Sequence, residues 1–99
     1  MMFVNIIKSY RDIVNICDEE VLGKKFEEGK FQLDIKENFY GGELLEENSV
    51  IEIIEKMSVE DATFNIVGKK SIEVALKTGL ISEESIKKIK GIPFSFVLI

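Results

Sequence analysis

The hydrophobic positions in the first third of the chain form short runs that are typical of β-strands. Apolar and β-branched residues fill Met2–Ile7 and residues 13–17, and the polar stretch between them predicts a β-hairpin. Residues 31–35 alternate apolar and polar side chains. This alternation predicts a strand whose apolar side chains, including Phe31, face the core.

Two later segments follow the helical period instead. In residues 50–57 apolar side chains recur at i, i+3, i+4 and i+7, and the pair Ser49 and Glu52 forms a capping box that predicts where this helix begins. Residues 69–78 also place their apolar side chains on one side. Gly79 follows them directly, which predicts that this second helix ends in a Schellman motif.

The remaining elements complete the expected fold. Residues 62–67 and 94–99 are rich in β-formers and predict two strands, whereas residues 85–90 fit either a short helix or a strand. Together these elements predict an α+β (mixed α/β) fold of two layers, with the N-terminal hairpin and further strands in one sheet and two main helices packed on it. We expect residues 1–99 to form a single domain.

Composition excludes several classes of chemistry. The chain has 99 residues, one cysteine and no histidine. It therefore lacks an internal disulfide, a Ser-His-Asp or Cys-His centre and a histidine-ligated metal. The lone Cys17 lies on an apolar strand, where a buried thiol is inert. The sequence contains neither a secretory signal nor a run of 18 apolar residues, so we expect a cytoplasmic protein without a membrane partner.

The charge is unevenly distributed along the chain. The net charge is −5, with −8 in residues 18–60 and +2 in residues 61–99. This distribution argues against a dedicated DNA-binding protein, which usually has a dominant basic face. A local basic face stays open as an interpretation, and so does dispersed charge that only aids solubility. The lysines that would form that face are Lys69, Lys70, Lys87, Lys88 and Lys90.

The glycine junction at residues 65–71 is the first candidate site. If a strand leads into a helix here, the free amides of the helix attract an anion, and Lys69, Lys70 and Ser71 add charge and a hydroxyl. The segment is not a P-loop, because the first glycine of that motif is absent. The alternative is an ordinary strand-to-helix turn. The binding residues predicted here are Asn65, Gly68, Lys69, Lys70 and Ser71.

The sequence Phe39-Tyr40-Gly41-Gly42 is the second candidate. Paired glycines permit close backbone approach, and an aromatic ring can stack on a base. Tyr40, Gly41 and Gly42 are therefore predicted to bind a ligand. The alternative is a tight turn whose rings fill the edge of the core.

The acidic run Asp18, Glu19 and Glu20 is the third candidate. Carboxylates bind Mg²⁺ or act as general acids and bases, which makes Asp18 and Glu19 weak metal-ligand candidates. The alternative is that Asp18 caps a single helical turn that ends at Gly23.

Four motifs, in this order along nearly the whole chain, resemble those of an archaeal family known as the domain of unknown function 424 family. They are Cys17-Asp18-Glu19-Glu20-Val21-Leu22-Gly23-Lys24, Phe39-Tyr40-Gly41-Gly42, Asn65-Ile66-Val67-Gly68-Lys69 and Gly91-Ile92-Pro93. The family commonly continues the last motif as Pro-His-Ala-Gln, whereas this chain has Phe94 after Pro93. The resemblance implies an archaeal origin but no reaction. It also leads us to expect that residues 40–42 and 65–70 line one cleft.

These observations favour a non-catalytic module, without a cofactor, that binds a phosphate-bearing partner such as RNA or a ribonucleoprotein. In this hypothesis Lys69 and Lys70 neutralise phosphate, Asn65 hydrogen-bonds and Tyr40 stacks. One alternative is a small Mg²⁺- or nucleotide-dependent enzyme or ligand-binding domain that uses Asp18 and Glu19. Another is a subunit of a protein complex, which docks through the segment from Phe94 to Ile99.

Overall fold

The computed structural model describes residues 1–98 and arranges them around a six-stranded mixed sheet. The strands of the chain are β1 (Met2–Ile7), β2 (Ile13–Asp18), β3 (Lys25–Glu28), β4 (Phe31–Asp34), β5 (Glu43–Leu45), β6 (Thr63–Val67), β7 (Lys87–Ile89) and β8 (Ile92–Leu98). The large sheet has the order β5-β1-β2-β6-β8-β7, and β2 and β6 run parallel while its other neighbours are antiparallel. Strands β3 and β4 form a separate hairpin.

The helices are α1 (Glu37–Tyr40), α2 (Glu47–Val59) and α3 (Lys69–Lys77), and two single 3₁₀ turns span Glu19–Val21 and Glu83–Ser85. Helices α2 and α3 cover one face of the large sheet, where Phe64 and Ile66 of β6 are fully buried. From the helices, Ile54 and Ala75 join this core. In the described part of the chain, no helix is long and apolar enough to cross a membrane.

The opposite face of the sheet is only partly covered. The β3–β4 hairpin and α1 enclose a second core around Cys17, Val67 and Phe94, to which they contribute Leu33 and Tyr40. The next row of side chains on this face consists of Asn5, Asn15, Asn65 and Phe96, which lie opposite one another on adjacent strands. Phe96 at the end of this row is 60% exposed.

Most of the predicted elements are confirmed, including the α+β class, the N-terminal hairpin and the strand and helix on either side of Gly68. The predicted Schellman ending of α3 also forms. Gly79 has φ +78°, and the Leu80 amide donates to the Ala75 carbonyl at 3.0 Å. The ambiguous segment becomes a 3₁₀ turn followed by β7. The predicted C-terminal strand is β8, and Ile99 lies outside the described residues.

Two local predictions are wrong. Helix α2 begins at Glu47, so Ser49 lies inside its first turn and makes no cap. Phe31 does not face the core. It is the first residue of β4, directly after the turn of the hairpin, and it is 72% exposed. The hairpin strand β3 was not predicted at all. Its sequence, Lys-Phe-Glu-Glu, carries one apolar side chain and has no strand pattern.

Candidate functional site

Asp18 lies at the centre of the predicted glycine junction and fills it. Its side chain is 3% exposed. One carboxylate oxygen accepts hydrogen bonds from the Ser71 amide at 2.8 Å and the Ser71 hydroxyl at 2.7 Å, and the other accepts from the Lys70 amide at 3.0 Å. Because β2 runs parallel to β6, the end of β2 lies beside the start of α3. The carboxylate therefore serves as the N-terminal cap of α3.

The Asp18 carboxylate leaves no space for a side chain at position 68, so this position requires glycine. Its φ is +111°, and a Cβ built on it would lie 2.3 Å from Asp18 Cγ. The backbone amides that were predicted to hold a phosphate thus bind the protein's own anion. The prediction that Asp18 caps the adjacent turn is wrong, because that turn has no side-chain cap.

The same contacts make Asp18 unsuitable as the predicted Mg²⁺ ligand beside Glu19. The Asp18 carboxylate is buried and already accepts three hydrogen bonds, whereas Glu19 is exposed at the surface. Across residues 1–98 no three His, Cys, Asp or Glu side chains are grouped so that they could hold a metal ion. The alternative function based on Asp18 and Glu19 has no assembled site.

The Phe39–Gly42 motif is packed into the protein. Tyr40 is 4% exposed and meets Phe39 edge-to-face at 5.4 Å between ring centroids, so neither face of its ring is free to stack on a base. A Cβ on Gly41 would lie 2.4 Å from the Glu37 carbonyl, and one on Gly42 would lie 2.2 Å from the Val4 carbonyl. These contacts match the alternative interpretation, in which rings fill the core and the glycines permit close backbone approach.

Cys17 and Tyr40 both lie in the second core and stay protonated. Burial, helped by the negative charges of Asp18 and Glu20, raises the pKa of the Cys17 thiol to about 12. Burial also holds the pKa of Tyr40 well above its ordinary value. A thiol with so high a pKa is a poor nucleophile at neutral pH.

A chain of hydrogen bonds joins the two predicted binding motifs. Asn65 Nδ2 donates to Asn15 Oδ1 at 2.7 Å, and Asn15 Nδ2 donates to the Phe39 carbonyl at 2.9 Å. Asn15 is a member of this network that no motif indicated, although an asparagine inside an otherwise apolar strand is a signal of such a role. The expectation that residues 40–42 and 65–70 line one cleft is wrong, because hydrogen-bonded side chains connect these two segments. Gly42 and Lys70 line two separate cavities.

The lysines divide between two environments. Lys70 lines a cavity together with Glu46, Glu47 and Glu73, so three acidic residues share the lining with its charge. Lys69 and Lys70 begin α3, whereas Lys87 lies on β7 at the edge of the sheet.

Lys87 belongs to an open groove that no sequence motif indicated. The groove, here called the aromatic groove, has a volume of about 340 Å³ and lies between the β3–β4 hairpin and strands β7 and β8. Phe31 and Phe96 are 72% and 60% exposed on it. Phe94 packs against Phe96 with 5.4 Å between ring centroids. Residues that line this groove include Phe31, Gln32, Ser85, Lys87, Phe94 and Phe96.

Known proteins show the same fold. The crystal structure of an uncharacterized conserved protein from Methanopyrus kandleri is 25% identical to this chain, with a TM-score of 0.86, and the match covers 99% of this chain and 90% of that chain. No curated protein matches the chain. The family described as "Protein of unknown function (DUF424)" matches residues 7–99, and the chain belongs to this family.

Proposed function

We propose that the protein is a non-catalytic cytoplasmic module that binds single-stranded RNA, free or in a ribonucleoprotein, through the aromatic groove. One observation carries the proposal. Two strongly exposed phenylalanines, Phe31 and Phe96, line a single groove together with Lys87. Exposed aromatic rings beside a cation are the combination that binds bases and phosphates of single strands.

The rings supply the larger part of the expected affinity. Stacking of a base on an aromatic side chain contributes about 1–3 kcal/mol and tolerates any sequence. Phe31 and Phe96 are carried by two different sheets, so each is held by its own strand. The volume of about 340 Å³ is at the small end of ligand sites, which favours a short stretch of nucleotides.

The charges predict that phosphate contacts are few. The protein carries a net charge of −5, and Lys87 is the cation in the groove, with Lys88 and Lys90 following it in the chain. Each neutralised phosphate contributes about −0.7 to the slope of log affinity against log salt for a single strand. We therefore expect a shallow slope, equivalent to one or two phosphate contacts.

The chemistry of the groove supports binding without catalysis. Phe94 stands at its inner side and is 9% exposed. The titratable group that lines it is Lys87, and the buried thiol of Cys17 holds its proton. The free cysteine also agrees with a cytoplasmic location, where thiols stay reduced.

Fluorescence anisotropy with labelled eight-nucleotide RNAs of mixed sequence tests the proposal. Phe31→Ser and Phe96→Ser should each weaken binding about five-fold or more, and Lys87→Glu should weaken it and flatten the salt dependence. Val59→Ser is the matched control for loss of an exposed apolar side chain, because Val59 is 81% exposed on α2. Lys56→Glu is the matched control for charge.

All these positions are exposed, so the variants should keep the melting temperature of the parent within a few degrees. The proposal fails if the parent binds no RNA at 50 mM salt, or if the groove variants bind as well as the two controls.

A second candidate function, docking of another protein, is favoured by the free edge of β8. Among the described residues, strand β7 pairs with residues 92–94 and Ser85 contacts Ser95, so residues 96–98 offer their outer edge to an added strand. This edge carries no charge to protect it, and Leu98 is 77% exposed. Leu98→Lys should abolish co-purification of a protein partner from RNase-treated extract and leave RNA binding unchanged. Loss of RNA binding instead would contradict this assignment.

A further inference from the structure

Three asparagines occupy the same register on three adjacent strands of the sheet. Asn5 of β1 lies opposite Asn15 of β2, and Asn15 lies opposite Asn65 of β6. They share the face that carries Phe96, since Asn65 in turn lies opposite Phe96 of β8. A polar row on a sheet face, between rows of apolar side chains, needs an explanation beyond packing.

The hydrogen bonds of this row fix the direction of every amide. The Phe39 carbonyl can only accept, so the Nδ2 groups of Asn5 and Asn15 both point towards it, at 2.7 and 2.9 Å. Asn15 Oδ1 is consequently directed at Asn65, whose Nδ2 donates to it at 2.7 Å. The Asn65 carbonyl oxygen is thereby turned away from the network.

That oxygen is a free acceptor next to the proposed stacking ring. Within residues 1–98, Asn65 Oδ1 accepts no hydrogen bond from the protein, and no buried side-chain oxygen lacks a partner, so this oxygen is reached by solvent. Side chains of opposed residues in an antiparallel pair have Cβ atoms about 4.5–5.5 Å apart. Among the described residues Asn65 is not part of the groove lining. It lies on β6, on the other side of Phe96 from β7, so a base stacked on Phe96 meets Asn65 where its edge extends over β6.

We propose, on the basis of the RNA-binding function proposed above, that Asn65 selects bases with an exocyclic amino group, so that cytosine and adenine bind better than uracil and hypoxanthine. An amino group projects from the base edge and donates directly to Oδ1. Uracil and hypoxanthine carry a carbonyl oxygen at the same position, and this oxygen repels an acceptor. Their donor on this edge is the adjacent ring N–H, which reaches Oδ1 only if the stacked base shifts from that position. The amide cannot flip to meet it, because rotation would break the bond to Asn15 and set two oxygens against each other.

Anisotropy titrations with labelled C₈, U₈, A₈ and I₈ oligonucleotides test this specificity. The parent protein should bind C₈ about three- to ten-fold more tightly than U₈, and A₈ more tightly than I₈ by a similar factor, which is the range of a single neutral hydrogen bond. The A₈ and I₈ pair changes the ligand alone, so it needs no protein variant. Asn65→Leu should bind C₈ and U₈ with affinities within two-fold of each other, and likewise A₈ and I₈.

The outcomes separate the two proposals. If no oligonucleotide binds, the RNA-binding function is wrong and the specificity falls with it. If all four bind the parent equally while Phe96→Ser still weakens binding, Asn65 does not select the base and the binding function stands. If the preference persists in a folded Asn65→Leu variant, another group reads the base and the assignment to Asn65 is overturned.

Discussion

The Asp18 carboxylate accepts a hydrogen bond from the Ser71 amide at 2.8 Å, across 53 residues of sequence. This contact ties the end of β2 to the start of α3 and is reinforced by the Ser71 hydroxyl and the Lys70 amide. A single buried anion thus satisfies three donors. It also neutralises the positive end of the helix dipole, which would otherwise be the best anion site of the fold.

Replacing Asp18 should destabilise the protein strongly. Asp18→Ala leaves two backbone amides and a hydroxyl without their acceptor in a buried position, so we expect the free energy of unfolding to fall by about 2–4 kcal/mol. Ser71→Ala removes one donor and leaves the two amide bonds to the carboxylate, so it should cost about 1 kcal/mol. Urea unfolding followed by circular dichroism measures both. Equal losses would contradict the central role of the carboxylate.

Gly68 and Asp18 should be energetically coupled. Gly68→Ala places a Cβ 2.3 Å from Asp18 Cγ and forces alanine to adopt φ +111°. In the Asp18→Ala background the steric part of this cost disappears and only the backbone strain is left. The double variant should therefore be at least about 1 kcal/mol more stable than the sum of the single losses predicts. Strict additivity in urea unfolding would show that the carboxylate does not rest against Gly68.

Gly42→Ala should cost far more than Gly29→Ala. A Cβ on Gly42 would meet the Val4 carbonyl at 2.2 Å, and a backbone atom in a central part of the sheet cannot move away cheaply. Gly29 has φ +61° but nothing within 4 Å of its Cβ, so its replacement costs only about 1–2 kcal/mol of backbone strain. Thermal unfolding of the two variants compares them. If Gly42→Ala is as stable as the parent, the glycine serves a ligand and not the packing of β1.

Local features were predictable because a few neighbouring residues decide them. The β-branched run of β1, the apolar stripe of α3 and the glycine that ends this helix each depend on side chains within a few positions. The same rules failed at Ser49, because the chain leaves β5 at Leu45 and enters the helix two residues before the expected cap. Tertiary context overrode a correct local preference there.

The candidate site was less predictable because it depends on distant pairs. No residue near Asp18 in the sequence indicates that its carboxylate accepts a hydrogen bond from α3, 53 residues later. The parallel pairing of β2 and β6 brings the carboxylate and the helix together. Phe31 fits the strand alternation and yet its side chain is exposed. Its exposure depends on which part of the β3–β4 hairpin packs against the large sheet, and the local sequence does not determine this. Periodicity identifies which residues share a face but not whether another element covers it.

The buried thiol of Cys17 should make the protein less stable in alkali. The pKa of this thiol is raised from 9.0 to about 12 in the folded protein, so between these values the unfolded chain releases a proton that the folded chain keeps. Stability is then lost as pH rises, by at most about 1.4 kcal/mol per pH unit, and this contribution is fully present below pH 9. Between pH 8 and pH 10 the parent should lose about 1.4 kcal/mol more than Cys17→Ala, since alanine has no proton to release.

Urea unfolding at both pH values measures the difference. Burial is the main cause that holds the pKa of Tyr40 well above its ordinary value, so folded Tyr40 keeps its proton in both proteins over this range. Cys17→Ala has its own packing cost, which cancels because only the change with pH is compared. A thiol reagent at pH 8 provides an independent check, because Cys17 is fully buried and should react only after unfolding. Parallel loss of stability in the two proteins, or rapid labelling of the native parent, would show that the thiol titrates near its ordinary pKa and is open to solvent.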